Sequence, residues 1–233
     1  MGVILIKNNK GGVGKSWISL QLAGCQAYKN KKVLILTSDS QNNILNFAGI
    51  KVDTSKNGLE DMLEGKAYSL VKLRPNLFFL HLQGYKLKKD YEEKLKEAIK
   101  EWKEDFDYIV IDGSPVLGLD NIFMELAEHI IIPTFLDKVT TNSVVQMLRT
   151  VDLNKIRVVI PNRVGRTKIE KNCYSFLDER LKKLGKLLTM PISQSATITK
   201  LIDTGSLIWD SKISKLNFIK EIFEDVWREI ENE

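Results

Sequence analysis

Cysteine is nearly missing from this chain of 233 residues: Cys25 and Cys173 are the only two, and they form no close-spaced metal motif. A zinc module is excluded, and an iron–sulfur carrier lacks the thiolates it needs. Cys25 falls on a predicted helix, where it reads as a small core residue. No apolar run approaches the ~18 residues of a membrane-spanning helix. Met1-Gly2 leads straight into a strand, so no signal peptide is expected, and Ile6 breaks the myristoylation pattern. Internal repeats, low-complexity tracts and long linkers are missing too. These absences lead to the expectation of one cytoplasmic domain over residues 1–233.

What is present is an alternation. Hydrophobic residues make up 43% of the chain, enough for a sizeable core. Apolar runs predict strands at 3–6, 33–36, 77–82, 108–112, 129–132 (ended by Pro133), 157–160 and 187–190. Between them lie predicted helices from the first glycine loop to 28, up to 48, and at 58–63, 86–104, 121–127, 141–150 and 168–184. Two more, at 196–203 and 216–230, close the chain. In the 86–104 segment, Leu95, Ile99 and Trp102 are spaced to share one helix face. Strands alternating with helices predict an α/β fold, a mostly parallel sheet with helices on both faces.

The most informative stretch is Asn8-Asn9-Lys10-Gly11-Gly12-Val13-Gly14-Lys15-Ser16, set between a buried strand and a helix. Glycines let backbone N–H groups converge on an anion, and the helix start adds unpaired donors. Lys15 is then placed for β- and γ-phosphates, and the Ser16 hydroxyl for Mg²⁺. The strict pattern GxxxxGK[ST] fails at Asn9. The deviant form KGGxGK[ST], with a second lysine at Lys10, is met in full. Asp112 ends the strongest predicted strand, where a parallel sheet gathers its ligands, and is a natural Mg²⁺ partner through water. Asp39 also follows a buried strand.

Residues 10–16 resemble the loop of the deviant Walker A ATPases, the ParA/MinD superfamily. Asp112-Gly113-Ser114-Pro115 is similar to that family's DxxP motif. Residues 37–43 resemble its DxDPQGN signature, with Thr37 and Ser40 in place of the first Asp and the Pro. Ile160-Pro161-Asn162-Arg163 is similar to its LNR segment. The resemblance implies a P-loop NTPase fold, ATP and Mg²⁺ as cofactors, and an ATP-bound sandwich homodimer. In such a dimer Lys10 crosses the interface to phosphates bound by the other subunit. Gly11, Gly12, Val13, Gly14, Lys15, Ser16 and Trp17 would line the nucleotide, Trp17 standing where the family has a second Thr. Ser16 and Asp112 would serve the metal. Lys10, Lys15 and Asp39 would be catalytic, Asp39 orienting the attacking water; a turn or capping role is the other reading of Asp39. Asn162 would read the adenine edge, a task its amide suits, or be an ordinary polar loop residue. Pro191 sits where the family's backbone lines the base. Loss of an acid at Thr37 implies slower or differently tuned hydrolysis.

Charge is uneven. Residues 151–220 carry fourteen Lys or Arg against six Asp or Glu, in a chain whose net charge is +5. This basic half, with Arg163, Arg166, Lys168, Lys171, Lys182, Lys183, Lys186, Lys200, Lys212 and Lys215, fits either a polyanionic partner or a solvated face. The resemblance favours non-specific DNA, and no recognition helix or zinc module suggests sequence reading. The last helix has an apolar stripe of Phe218, Ile219, Ile222, Phe223, Val226 and Ile230, with Trp227 adjoining. It is acidic from Glu221 onward, which fits core packing and opposes anionic lipid. The expectation is a small ParA-type partition ATPase, cytoplasmic and nucleoid-associated, with a centromere-binding ParB-like adaptor and no membrane partner. The rivals are a MinD-like positioning ATPase, a nucleotide-switched scaffold with little hydrolysis, and a metabolic or electron-transfer relative on the same fold.

Overall fold

The computed structural model describes residues 2–84, 91–114 and 119–232. Pro115 of the Asp112 loop and the start of the helix predicted from Lys86 lie outside the described residues. In chain order the elements are β1 (Gly2–Ile6), α1 (Lys15–Tyr28), β2 (Val33–Thr37), α2 (Asn43–Ala48), α3 (Leu59–Leu63), β3 (Val71–Arg74), β4 (Leu77–Leu80) and α4 (Tyr91–Asp105). They continue with β5 (Tyr108–Asp112), α5 (Leu119–Leu126), β6 (His129–Thr134), α6 (Lys138–Thr150), β7 (Ile156–Pro161), α7 (Lys168–Lys183), β8 (Leu187–Leu188), α8 (Ala196–Asp203) and α9 (Asn217–Glu231).

Among the described residues the strands form one sheet in the order β3-β4-β2-β5-β1-β6-β7-β8. Every pairing is parallel except β3 with β4. The central strands are apolar on both faces because both are covered. Val3 and Leu5 face one core, shared with α4, α5, α6 and α7; Ile4 and Ile6 face the other, shared with α1, α2 and α9. Register brings the ends together at the carboxyl edge: Asp112 pairs with Ile6 on one side and Thr37 on the other. The loops after β1, β2 and β5 therefore emerge side by side, where open parallel sheets bind ligands.

Several boundaries differ from expectation for local reasons. Pro133 does not end β6. Its carbonyl accepts from Asn8 Nδ2 at 2.8 Å on the β1 side, beyond the end of β1. The missing N–H therefore faces a side where no ladder bond is needed, while Thr134 still serves β7. α6 starts at Lys138 rather than at 141 because Asp137 caps it, accepting from Val139 N and Thr140 N. The antiparallel edge strand β3 has no counterpart in the sequence reading.

Leu95, Ile99 and Trp102 are buried on one face of α4, as their spacing predicts. In α9, Ile219, Ile222, Phe223, Val226, Trp227 and Ile230 are buried and Trp227 Nε1 donates to the Leu22 carbonyl at 2.9 Å. Each such side chain contributes about 1.5–3 kcal/mol by leaving water. Phe218 departs from the stripe and is 49% exposed. Among the described residues no helix is long and apolar enough to cross a membrane.

Candidate nucleotide site

The loop between β1 and α1 follows from its glycines. Gly14 has φ +94 and Gly12 φ +75, in the left-handed region that side chains resist. A Cβ at Gly14 would also lie 2.3 Å from Asn162 Nδ2, so position 14 is closed to other residues twice over. At Gly11 and Gly12 a Cβ would meet nothing within 4 Å among the described residues, which leaves an open cradle above the backbone. Among the described residues no side chain caps α1, so its first N–H groups have no intrahelical partner.

Lys15 opens α1 and is buried, its Nζ donating to the Lys10 carbonyl at 3.0 Å across the loop. Burial lowers its pKa, while the Asp112 and Asp39 charges oppose the shift. Asp112 is 2% exposed at the end of β5. Burial raises its carboxyl to about 7; bonding from Ser16, the Lys15 charge and Ser19 pull it down, and Asp39 pushes it up. Ser19, one turn into α1, has its Oγ 3.5 Å from Asp112 Oδ1. Asp39 is half-buried, and its backbone N–H donates to Thr37 Oγ1 at 3.0 Å. That hydroxyl in turn donates to the Asp112 carbonyl at 3.3 Å. Thr37 thus braces Asp39 against β5. Asp39 Oδ1 also accepts from Gln41 N at 3.0 Å, so a turn role is present as well.

Lys10 lies exposed at the front of the loop, with Gly11 and Gly12. Asn162 is buried and its Nδ2 donates to the Val13 carbonyl at 3.0 Å, tying the end of β7 to the loop. Beside it a cavity of about 310 Å³ is lined by Trp17, Phe47, Asn162 and Ser195, among others. Trp17 packs edge-on against Phe223, ring centroids 6.0 Å apart. Pro191 is not on this cavity but on a separate recess with Leu136, Val164 and Tyr174; the same loop reaches the nucleotide side with Ser193, Gln194 and Ser195. In the basic half, Lys182 and Lys183 each pair with an acid one turn back, Asp178 and Glu179, so their charge is matched locally. Lys200, Lys212 and Lys215 are exposed.

Two residues at the site escaped the sequence reading. Lys7, directly after β1, and Asp120, in α5, form a buried ion pair. Burial, with a smaller push from the Lys15 charge, lowers the Lys7 ammonium to about 8. A lysine immediately at the end of an otherwise apolar strand was the available signal.

The site fits a magnesium nucleotide. Among the described residues no group of three or more His, Cys, Asp or Glu could hold a metal alone. One buried carboxylate flanked by a hydroxyl under an open phosphate cradle is the donor set Mg²⁺ takes when phosphates and water complete its shell.

A family profile described as an AAA domain matches residues 1–160. The sporulation initiation inhibitor protein Soj of Bacillus subtilis (strain 168) is 31% identical over 164 residues, covering 65% of each chain. The chain thus spans just under two thirds of the length of that curated relative. Among solved structures, an ATP complex of a Cyanothece McdA variant aligns with a TM-score of 0.80 at 22% identity, over 99% of this chain and 96% of that one. The MinD cell division protein of Aquifex aeolicus aligns with a TM-score of 0.77 at 22% identity, over 100% and 98%. At these identities the structures speak to the fold, a P-loop NTPase sheet. The chain belongs to the AAA domain family and, with Soj among its relatives, to the ParA/MinD superfamily of deviant Walker A ATPases.

Proposed function

We propose that this chain is a Mg²⁺-dependent ATPase of the partition or positioning type, working as a single domain. In this reading an ATP-bound sandwich dimer binds DNA non-specifically in the cytoplasm, on the nucleoid. A centromere-binding, ParB-like adaptor stimulates hydrolysis of ATP to ADP and phosphate, which releases the DNA. The observation that carries it is the convergence of Lys15, Ser16, Asp39 and Asp112 beneath an open glycine loop at the carboxyl edge of the sheet.

The loop N–H groups and Lys15 neutralise the β- and γ-phosphates, Lys15 exchanging the Lys10 carbonyl for phosphate oxygen. Ser16 and Asp112 would hold Mg²⁺, Asp112 through water. When bound, Mg²⁺ would offset the negative charge that develops on the transferring phosphate. Asp39, braced by Thr37, orients the water that attacks in line. The exposed Lys10 reaches the phosphates of the twin subunit and adds charge stabilisation at transfer. Asn162 and the walls of the Trp17 cavity receive the base, with the loop that contains Pro191. Lys200, Lys212 and Lys215 supply phosphate contacts to DNA. The apolar face of α9 is buried against the body of the protein, which supports a reading without a membrane partner.

Phosphate release, measured with and without DNA and adaptor, tests the reading against a scaffold with little hydrolysis. Turnover that rises with both and vanishes in Lys15→Ala supports it. No turnover under any of these conditions overturns it.

A further inference from the structure

Three neighbouring strands, β2, β5 and β1, lead at their carboxyl ends to Asp39, Asp112 and Lys15. The segments that follow these strands are joined by a closed polar ring. Lys7, after β1, donates from Nζ to the Ser114 carbonyl at 2.7 Å and lies against Asp120 Oδ2. Asp120 Oδ1 accepts from Ser38 Oγ at 3.1 Å. Ser38 Oγ accepts from Ser114 N at 2.6 Å, which closes the ring, and Ser38 N donates to the Asp112 carbonyl at 3.1 Å. All four residues are buried. Ser38 immediately precedes Asp39, and Ser114 follows Asp112 by two positions.

A buried ion pair is a weak source of stability, because desolvating both charges offsets most of their attraction. What the ring does supply is exclusivity. Any shift of the Asp39 loop relative to the Asp112 loop opens a buried hydrogen bond, and loss of either charged partner leaves the other unpaired in the interior. We propose that Lys7 and Asp120 are positioning residues, which through Ser38 and Ser114 fix the Asp39 and Asp112 carboxylates relative to each other for attack on the γ-phosphate. They touch neither nucleotide nor water; they act through the two carboxylates. The proposal rests on the ATPase reading above.

The test compares wild type, the double variant Lys7→Met/Asp120→Leu, and Ser38→Ala by calorimetry, amide hydrogen exchange and steady-state kinetics. The double variant removes both charges at once and is expected to melt near wild type, since paired apolar replacements of this kind are tolerated. Exchange at residues 38–42 and 113–114 is expected to rise at least about tenfold through easier local opening. The kcat is expected to fall on the order of 10- to 100-fold, as for lost supports of metal-site ligands and small misplacements of reacting groups. The KM for ATP should move less than about threefold, because the glycine loop is untouched. Ser38→Ala leaves the ion pair in place and should give the same exchange rise and kcat loss, so the proposal stays testable if the double variant does not fold. A folded variant with wild-type kcat and wild-type exchange overturns it. So does a melting-temperature change with no split between kcat and KM. Should wild type itself release no phosphate, the ATPase reading fails while the exchange of residues 38–42 and 113–114 still decides whether the ring positions these loops.

Discussion

Replacing Asp112 with asparagine should stabilise the nucleotide-free protein, and only above a defined pH. An unfolded aspartate ionises near 3.8, whereas burial raises Asp112 in the folded chain to about 7. Between these values the native state keeps a proton that the unfolded state has lost. Unfolding free energy therefore falls as pH rises, by 2.303RT per unit. Three units at about 1.4 kcal/mol each give a cost on the order of 4 kcal/mol once Asp112 is ionised. The replacement amide keeps an acceptor for Ser16 and Ser19 and never carries the charge. Urea unfolding without Mg²⁺ or nucleotide, from pH 4 to 8.5, measures the difference. Asp112→Asn and wild type should coincide near pH 4 and diverge to roughly 2–4 kcal/mol in favour of the variant above pH 7. A difference independent of pH, or a less stable variant at pH 8, would refute the reasoning. The same linkage makes affinity for magnesium nucleotide rise about tenfold per pH unit below 7 and level off above it, because binding ionises Asp112.

Three further outcomes follow from the geometry. Gly14→Ala combines a left-handed backbone with a Cβ 2.3 Å from Asn162 Nδ2, and should lower stability by at least about 1–3 kcal/mol in chemical unfolding and weaken nucleotide binding. Lys10→Ala, at an exposed position, should leave melting temperature and monomer affinity for ATP unchanged but abolish ATP-dependent dimers in sedimentation velocity; persistent dimers count against a cross-subunit role. DNA retention by the ATP-bound protein should weaken steeply between 50 and 200 mM salt, by about tenfold or more for a handful of phosphate contacts, and Lys200→Ala/Lys215→Ala should flatten that slope.

The fold was legible where its causes are local. The strand, glycine turn and Lys15-Ser16 helix start are contiguous, and so are the apolar runs whose alternate residues feed the two cores. Strand boundaries at Pro133 and Pro161 were not, because a proline's tolerance depends on which neighbouring strand has already ended, and only sheet order tells. β3 was missed because its apolar/polar alternation, Val71-Lys72-Leu73-Arg74, lasts only four residues before the Pro75-Asn76 turn. The individual residues of the candidate site could be named from their positions at strand ends, but not their partners. Asn162 meets Val13 across 149 positions and Lys7 meets Asp120 across 113. The placement of Pro191 on a neighbouring recess has the same origin: which residues of the loop after β8 line the cavity is set by tertiary packing, and those are Ser193, Gln194 and Ser195.

The most direct test of the account is a crystal structure grown with Mg²⁺ and a non-hydrolysable ATP analogue. The account predicts triphosphate density in the 10–16 loop and Lys15 Nζ moved from the Lys10 carbonyl to phosphate oxygen. It also predicts the metal between Ser16 and Asp112, and a second copy whose Lys10 meets the same phosphates. An analogue bound elsewhere with the loop vacant, or a bound single copy with Lys10 directed into solvent, would contradict it.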